Sequence, residues 1–421
     1  MIARAAGQPT ICLLSLSAIA DDPRVRRQGE LFAASGWRVI GVGLPGERSE
    51  PPDWPILTGA GDSGRRGWKT PLPLRGAARR AALAACTLRL RFAGADDLRA
   101  RLAENIYWRH LAISPIVNAV HRAARSVAAD VWLANDWTAL PLAARLAREN
   151  GGVYAYDSHE LAAEEHAEQA AWRYWKQPIV SAIERRYIGD AAVVSTVSAG
   201  IAERLDRLYA LPRPTRVVRN TPHYRESGFR RTGGRIRVLY HGIVASGRGL
   251  EVAIDSVAIW RPEFHFTIRG PENPGLSHAL RTRIRDLGLA DRVELAPAVP
   301  MTELVRAASA FDIGFFVFPD DCWHNRFVLP NKFFEYVMAG LALCVSDLPE
   351  MARLVNAYEL GVLVPRVDPG AIAAAVNSLD RERIDRCKQN ALAAARELCW
   401  EREAAELIGA YACLAGHAGI R

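Results

Sequence analysis

The sequence predicts an α/β protein built from two doubly wound domains. Three observations support this fold class: short apolar runs alternate with amphipathic stretches, the alternation is interrupted once after residue 222, and the chain has 421 residues. Such alternation is typical of parallel sheets covered by helices. A chain of this length, half hydrophobic and 24% charged, exceeds one ordinary core and is too apolar for disorder.

The first domain is predicted over residues 1–222. Its first helix begins at Asp22, because Pro23 suits the first helical position, and it ends at Gly36. The segment TPHYRESGFRRTGGR then combines Pro, Gly, Ser and charged residues, which is typical of an exposed connection. The predicted strands of this domain are ICLLSLS, WRVIGVG, DVWLAND, VYAYDSHE, AAVVSTVS and TRVVRN.

The second domain is predicted over residues 235–395, with strands IRVLYHG, EFHFTIRG, DRVEL, FDIGFFVF, LALCVS and LGVLV. Helices are predicted at 248–259, 277–287, 301–308 and 331–339. Residues 396–421 are predicted to form a helix that packs back on the first domain. Ligands of open α/β sheets bind at the carboxyl ends of strands, so we expect the two domains to face each other across a cleft lined by strand-to-helix loops.

Positive charge is concentrated in residues 64–110. This segment holds eleven Lys or Arg against three acids, an excess equal to the net charge of the whole chain, +8. Because its arginines alternate with large apolar residues, the segment predicts contact with an anionic membrane surface. An arginine-rich surface helix is the alternative. Nucleic acid is not an expected partner, since no recognition module accompanies the charge.

Cysteine spacing and hydropathy favour a reduced, cytoplasmic protein. The seven cysteines are scattered without the paired spacings of zinc sites or redox motifs, so no metal is expected. No run of about 18 uncharged apolar residues exists, and the apolar stretch 11–20 ends in two aspartates, which predicts neither a spanning helix nor a secretory signal. Because no spanning helix is predicted, any association with the inner face of the plasma membrane is expected to be peripheral. The loop after the first predicted strand also lacks the G-x-G-x-x-G fingerprint of dinucleotide-binding enzymes.

The stretch LPNKFFEYVMAGLALCVSDLPE, residues 329–350, places three polar residues at the start of an apolar helix. Free amides and the positive dipole end of a helix suit a phosphate. Lys332 is unfavourable in that first turn unless an anion binds there, and the edge formed by Asn331 and Glu335 suits sugar hydroxyls. The alternative is that Asn331 caps the helix and Lys332 pairs with Glu335 at i, i+3.

The same stretch resembles the donor-site segment of retaining glycosyltransferases of family 4, which have the GT-B fold and use sugar nucleotides. The resemblance covers nearly the whole chain, through further segments in the family's order: DDPRVRRQGELFAASGWRVIGVG, DVWLANDWTALPLAARLA, YDSHELAAE, VVSTVSAGIAERL, VVRNTP and LYHGIVASGRGLEVAIDSV. It implies transfer of a sugar, with retention, from a nucleotide-sugar to a glycan or lipid-linked acceptor. Cell-surface polysaccharide or glycolipid synthesis is the expected setting.

The resemblance also implies donor-binding residues. Glu335 is similar to the second acid of the family's pair, which binds the nucleotide ribose. The first acid would fall at Phe327, so Asn325 is the favoured replacement, with His324 and Asp320 as alternatives. Asn331 and the backbone of the loop at Ser346 complete this side of the predicted donor site.

The loop HGIVASGRG resembles the family's diphosphate-binding loop. Gly242 and Arg248 match the family's pattern, but Ile243 stands where a first basic residue is usual. Two cations are useful to a metal-free site, because the leaving diphosphate gains negative charge. We therefore hypothesise that Lys332 supplies the charge that Ile243 cannot, and we expect neither a metal nor a cofactor.

Acceptor-side residues are predicted just past the strands of the first domain: Asp22, Arg24, Asp136, Asp157 and His159. The resemblance implies that His159 lies beside the transferred sugar or the acceptor, so the predicted catalytic set is His159, Arg248, Lys332 and Glu335. The alternatives are that His159 holds a turn and that Asp22 only starts a helix.

Two other functions remain open. One is a sugar-nucleotide epimerase or an inverting transferase of the same fold. The other is a non-catalytic membrane-associated scaffold with a degenerate donor site, suggested by the missing acid at Phe327 and the missing base at Ile243.

Overall fold

The computed structural model describes the chain as two compact units. The first contains the chain up to Val218, with Cys322–His324 and the chain from Ala404 onward; the second contains Arg219–Asp321 and Asn325–Glu403. The described residues are 8–46, 49–59 and 73–417, without the side chains of 73–79 and 415–417. Residues 64–72 of the predicted membrane-contact segment lie outside them.

The first unit contains a seven-stranded parallel sheet. Its strands are β1 (Thr10–Ala18), β2 (Arg38–Leu44), β3 (Ile56–Thr58), β4 (Val131–Asn135), β5 (Val153–Ser158), β6 (Val194–Thr196) and β7 (Arg216–Val217). The order across the sheet is β3-β2-β1-β4-β5-β6-β7. The strand order therefore reverses between β1 and β4, which is where such sheets bind ligands.

Helices cover this sheet, and the first shows why it starts where it does. The Asp22 carboxylate accepts hydrogen bonds from the backbone N–H groups of Arg24 and Val25, and Pro23 occupies the first helical position. The helices of the first unit up to residue 209 are α1 (Pro23–Ala34), α2 (Pro73–Phe92), α3 (Asp96–Arg109), α4 (Ser114–Ala124), α5 (Leu140–Asn150), α6 (Ala170–Trp175), α7 (Gln177–Tyr187) and α8 (Ala199–Tyr209).

The second unit contains a six-stranded parallel sheet. Its strands are β8 (Ile236–His241), β9 (Phe264–Arg269), β10 (Val293–Ala296), β11 (Ile313–Phe316), β12 (Ala342–Ser346) and β13 (Gly361–Val364). The order β10-β9-β8-β11-β12-β13 reverses between β8 and β11. The prediction of two doubly wound parallel-sheet domains is confirmed.

The remaining helices include the one predicted at 331–339. That helix buries five large side chains against the sheet and leaves Asn331, Lys332 and Glu335 less enclosed. These helices are α9 (Leu250–Val257), α10 (Pro274–Asp286), α11 (Leu304–Ala308), α12 (Trp323–Phe327), α13 (Asn331–Met338), α14 (Pro349–Ala357), α15 (Pro369–Asn377), α16 (Arg381–Ala394) and α17 (Trp400–His417).

Short 3-10 turns also occur at Ile19–Asp21, Ala162–Glu164, Ile188–Asp190 and Met301–Glu303. Of the helices in the described ranges, none combines the length and the apolar character needed to cross a bilayer.

Candidate active site

In the second unit, the Lys332 side chain of helix α13 lies against the carboxyl end of β8. Its ammonium Nζ lies 4.8 Å from the ring centroid of Tyr240 and 4.0 Å from that of Phe316, which come from the two strands flanking the reversal of strand order. Gly242 follows β8 with φ +137°, and a Cβ built there would lie 2.9 Å from Nζ. The loop therefore requires glycine both for its backbone conformation and for the approach of the lysine.

Lys332 carries an unneutralised charge in an enclosed place. Part of the side chain is open to solvent, but its ammonium lies against the two aromatic faces, and it forms no ion pair among the described residues. Burial, reinforced by the nearby Arg248 charge, lowers the pKa of Lys332 to about 7, although Glu335 acts in the opposite direction. An anion bound here would relieve this unfavourable electrostatic state.

Glu335 faces His241 and not Lys332. The distance between Glu335 Oε2 and His241 Nε2 is 2.7 Å, so the alternative of a Lys332–Glu335 pair within the helix is wrong. His241 is the last residue of β8 and is 2% exposed. His241 is not among the residues predicted from the sequence, because a histidine that ends an apolar strand belongs to no motif. Only its position at a carboxyl strand end could have indicated it.

Tyr336 fixes the two elements that carry this pair. Its hydroxyl accepts a hydrogen bond from the backbone N–H of His241 at 2.9 Å and donates to the carbonyl of Phe315 at 3.3 Å. Its ring also packs on the His241 imidazole, with 4.6 Å between centroids. Helix α13 is thereby tied to β8 and β11 at the carboxyl edge of the sheet.

Arg248 lies in the loop between β8 and α9. Its side chain is exposed, and its charge is close enough to lower the pKa of Lys332. Ile243, which replaces the usual basic residue, is 61% exposed and carries no charge. The structure therefore brings Arg248, Lys332, Glu335 and Gly242 together, as the sequence predicts.

Other predicted donor-site residues already have protein partners. Asn331 does not cap α13, because the cap position is Pro330 and no side chain caps the helix; its Oδ1 instead accepts from Asn220 Nδ2 at 2.7 Å. Ser346 Oγ accepts from the Phe318 N–H and donates to the Phe318 carbonyl, each at 2.9 Å. This hydroxyl is engaged in holding the strand end.

Asn325 donates from Nδ2 to Asp321 Oδ1 at 2.6 Å. Asn325 lies within α12, and its amide thus contacts a residue just before that helix. Its predicted role, replacing the acid missing at Phe327, rests on the sequence alone.

In the first unit, Arg24 and Asp157 form a closed buried pair. Arg24 donates from Nε and Nη2 to the two Asp157 oxygens at 2.6 and 2.7 Å, and the side chains are 2% and 0% exposed. Gln28 and Ser195 donate to the same carboxylate at 2.7 and 2.6 Å. Burial alone would raise the pKa of Asp157, but Arg24 holds it far below its usual range. Both predicted acceptor-side residues therefore already have buried protein partners.

Two of the predicted acceptor-side residues, His159 and Asp136, have side chains with raised pKa values. His159 Nε2 lies 3.2 Å from Asn135 Oδ1 and 3.2 Å from Asp157 Oδ2. Burial lowers the pKa of His159, but the Asp157 carboxylate outweighs burial and the net pKa is raised. Asp136 has a left-handed backbone, φ +71°, and burial raises the pKa of its carboxyl. Such strain is often found at functional sites.

Asp22 has the structural role that its sequence context favours. Besides capping α1, its Oδ2 accepts a hydrogen bond from the Ser17 hydroxyl at 2.8 Å.

Two surface cavities of the first unit, of about 560 and 1050 Å³, include none of the predicted site residues. The carboxyl strand edges, and not these cavities, carry the polar groups described above.

Comparisons with known proteins indicate the class of this protein. Residues 235–381 match the family model described as "Glycosyl transferases group 1", a match that covers the second sheet and indicates a glycosyltransferase. No curated protein matches the chain in sequence.

Solved structures match over nearly the full length and show the GT-B architecture. Sucrose-phosphate synthase from Thermosynechococcus elongatus is 17% identical, with a TM-score of 0.72, over 97% of this chain and 100% of that one. HepE of Anabaena, in complex with UDP-glucose, is 13% identical with a TM-score of 0.63, over 97% and 99%. A glycosyltransferase from Rickettsia africae is 10% identical with a TM-score of 0.63, over 97% and 99%.

Proposed function

We propose that the protein is a retaining glycosyltransferase of family 4 that moves a sugar from a nucleotide-sugar to a glycan or lipid-linked acceptor. The observation that carries the proposal is the Lys332 ammonium, which lies on two aromatic rings near Arg248 at the carboxyl edge of the second sheet and forms no ion pair with any residue that the structure describes. A buried charge without a partner is unfavourable in the free protein. A diphosphate would supply the missing anion.

The proposed chemistry needs no metal. As the bond between the sugar and the diphosphate breaks, negative charge grows on the leaving phosphate oxygens, and fixed cations stabilise that charge best in an enclosed site. Lys332 and Arg248 supply the two cations. Glu335 accepts hydrogen bonds from the ribose hydroxyls, which fixes the nucleotide relative to both cations.

On the acceptor side we assign His159 and Asp136. The raised pKa of His159 keeps a larger fraction of its imidazole protonated, so the ring can donate a hydrogen bond to a sugar hydroxyl. Arg24, Asp157 and Asp22 are assigned to the scaffold, because each already has protein partners. Synthesis of cell-surface polysaccharide or glycolipid is the setting we propose.

Calorimetric titration with a panel of sugar nucleotides tests the donor site. We expect one nucleotide class to bind, and slow hydrolysis of that donor should release its sugar with the original anomeric configuration, read by NMR. UDP-glucose belongs in the panel, because HepE binds it. Binding of no sugar nucleotide would favour the scaffold alternative, and an inverted product would contradict retention.

Membrane contact is a second part of the proposal, supported by exposed aromatic residues near α2. Phe92 is 83% exposed, and α6 has no buried residue, with Tyr174 and Trp175 at 41% and 37%. The Arg91 guanidinium lies 4.4 Å from the Tyr174 ring. Aromatic side chains beside arginines are typical of surfaces that bind anionic bilayers.

Vesicle sedimentation tests this contact. We expect the protein to sediment with vesicles containing anionic lipid at physiological salt, and Phe92→Ser with Trp175→Ser to weaken that binding. Absence of binding to anionic vesicles would contradict the proposed membrane contact, but it would not bear on the proposed donor site.

A further inference from the structure

His241 is a buried polar residue in an apolar strand end. It is 2% exposed, and neither ring nitrogen makes a hydrogen bond among the described residues. Its Nε2 lies 2.7 Å from Glu335 Oε2, a distance that fits an ion pair although the geometry does not meet that of a hydrogen bond. A phenylalanine or leucine would fill this space without burying polar atoms, so packing alone does not account for a histidine here.

The position of His241 decides which partner Glu335 takes. Glu335 and Lys332 are three residues apart on α13, a spacing at which opposite charges normally pair. They do not pair here, because Glu335 faces the imidazole. The carboxylate is therefore held apart from the only cation on its own helix, and Lys332 keeps its charge available.

We propose that His241 is a positioning residue that acts through Glu335. It holds the carboxylate where it accepts the donor ribose hydroxyls, and it prevents the carboxylate from neutralising Lys332, which leaves that ammonium for the diphosphate. This inference rests on the proposed donor site. It makes His241 a determinant of the discrimination between ribonucleotide and 2′-deoxyribonucleotide donors, although it touches neither sugar nor phosphate.

Loss of the imidazole has two expected consequences. In His241→Phe, the carboxylate can turn to Lys332, so the ribose loses its acceptor and the diphosphate loses part of its cation. The KM for the donor should then rise about tenfold, and kcat should fall less than the about 10²-fold expected for Lys332→Ala, because the ammonium is only partly neutralised. His241→Gln, whose side-chain amide N–H can donate to the carboxylate from about the same place, should recover most of the lost affinity.

A double-mutant cycle with Glu335→Gln separates this role from a merely structural one. Calorimetry would use the nucleoside diphosphate that binds best among UDP, GDP and ADP, together with its 2′-deoxy form. Wild type should prefer the ribonucleotide about tenfold, and His241→Phe should lose that preference. Because His241 acts through Glu335, the double variant should bind no more weakly than Glu335→Gln alone.

The control is His265→Phe, a half-buried histidine on the neighbouring strand β9, which should leave both affinities unchanged. Thermal unfolding of each variant checks that the fold is retained. Additive effects of the two substitutions, or a preserved ribose preference in His241→Phe, would overturn the inference while leaving the donor site standing. Absence of any nucleotide binding in wild type would overturn both.

Discussion

Arg24 and Lys332 are both cations at helix starts, one in each unit, and they meet opposite electrostatic conditions. Arg24 is the second residue of α1, which follows β1, whereas Lys332 is the second residue of α13, which follows β11 and the short helix α12. Both strands flank the reversal of strand order in their own sheet. Arg24 is held by a bidentate Asp157, whereas Lys332 lies on aromatic rings and has no carboxylate partner among the residues that the structure describes. A cation in the first turn of a helix can thus complete the fold or stay available for a ligand.

The physical difference between the two cations is whether a nearby carboxylate pairs with them. Asp157 lies near the carboxyl end of β5, two strands from β1 in the same sheet, and it also accepts hydrogen bonds from Gln28 and Ser195. In the second unit the available acid, Glu335, is diverted to His241. The buried Arg24–Asp157 pair contributes to the stability of the fold, whereas the Lys332 ammonium contributes to the affinity for an anionic ligand. Substitutions at the two places should therefore have different effects.

Asp157→Asn should give the largest effect, on stability. Removing one partner leaves the buried Arg24 charge uncompensated, which lowers the free energy of unfolding by about 3–5 kcal/mol. Because Arg24 holds the pKa of Asp157 below its unfolded value, the pair's contribution is complete above about pH 4 and is lost on acidification. Urea unfolding measures the change.

The control for this change is Asp97→Asn, which breaks an exposed pair with Arg101 in the same unit and should alter stability by less than about 1 kcal/mol. If Asp157→Asn is no more destabilising than this control, the pair is not the closed structural element described here.

Lys332→Ala should give the next largest effect, on turnover. Loss of one cation from the leaving-group site should lower kcat at saturating donor by about 10²-fold, by analogy with loss of an oxyanion donor. Stability should not fall, because the substitution removes an unpaired, largely enclosed charge. Steady-state kinetics and thermal unfolding on the same samples test both statements.

Arg366→Ala serves as the matched control, since it removes an exposed cation of the same unit and should leave kcat unchanged. A loss of less than about threefold in folded Lys332→Ala would remove this residue from the diphosphate site.

A smaller effect is expected from pH. The pKa of Lys332 in the free protein is about 7, and the anion binds the protonated form. Below pH 7 the charge is already present, whereas above pH 7 binding requires proton uptake, so donor affinity should fall by up to about tenfold per pH unit. Calorimetry at several pH values measures the slope.

Lys332→Arg tests the assignment of this slope, because a guanidinium stays charged throughout the range. The variant should show a flat profile where wild type declines. An identical decline in both proteins would place the titrating group elsewhere.

Asp22→Ala should give the smallest effect. Loss of the cap of α1 should lower the free energy of unfolding by about 1 kcal/mol, and Asp22→Ser should restore most of it. Donor and acceptor kinetics should not change. A fall in acceptor turnover at unchanged stability would return Asp22 to the acceptor site.

Much of the proposed donor site was predictable because its parts are adjacent in sequence or belong to strand-to-helix loops. Asn331, Lys332 and Glu335 fall within five residues, and Gly242 with Arg248 forms one short loop. The parallel α/β pattern brings such loops to one edge of a sheet, so their convergence follows from the order of elements. The partners of Asn331 and Ser346 were not predictable, since Asn220 and Phe318 lie on other segments.

The sequence by itself determined the two doubly wound domains, the start of α1 at Asp22, and the convergence of Lys332, Glu335 and Arg248. These features depend on periodicity, capping and order along the chain. The tertiary structure alone decided that Arg24 is neutralised by Asp157 across 133 residues and that Glu335 faces His241 and not Lys332. The physical reason is that charge partners are chosen by distance and burial in the folded chain, which local spacing does not encode.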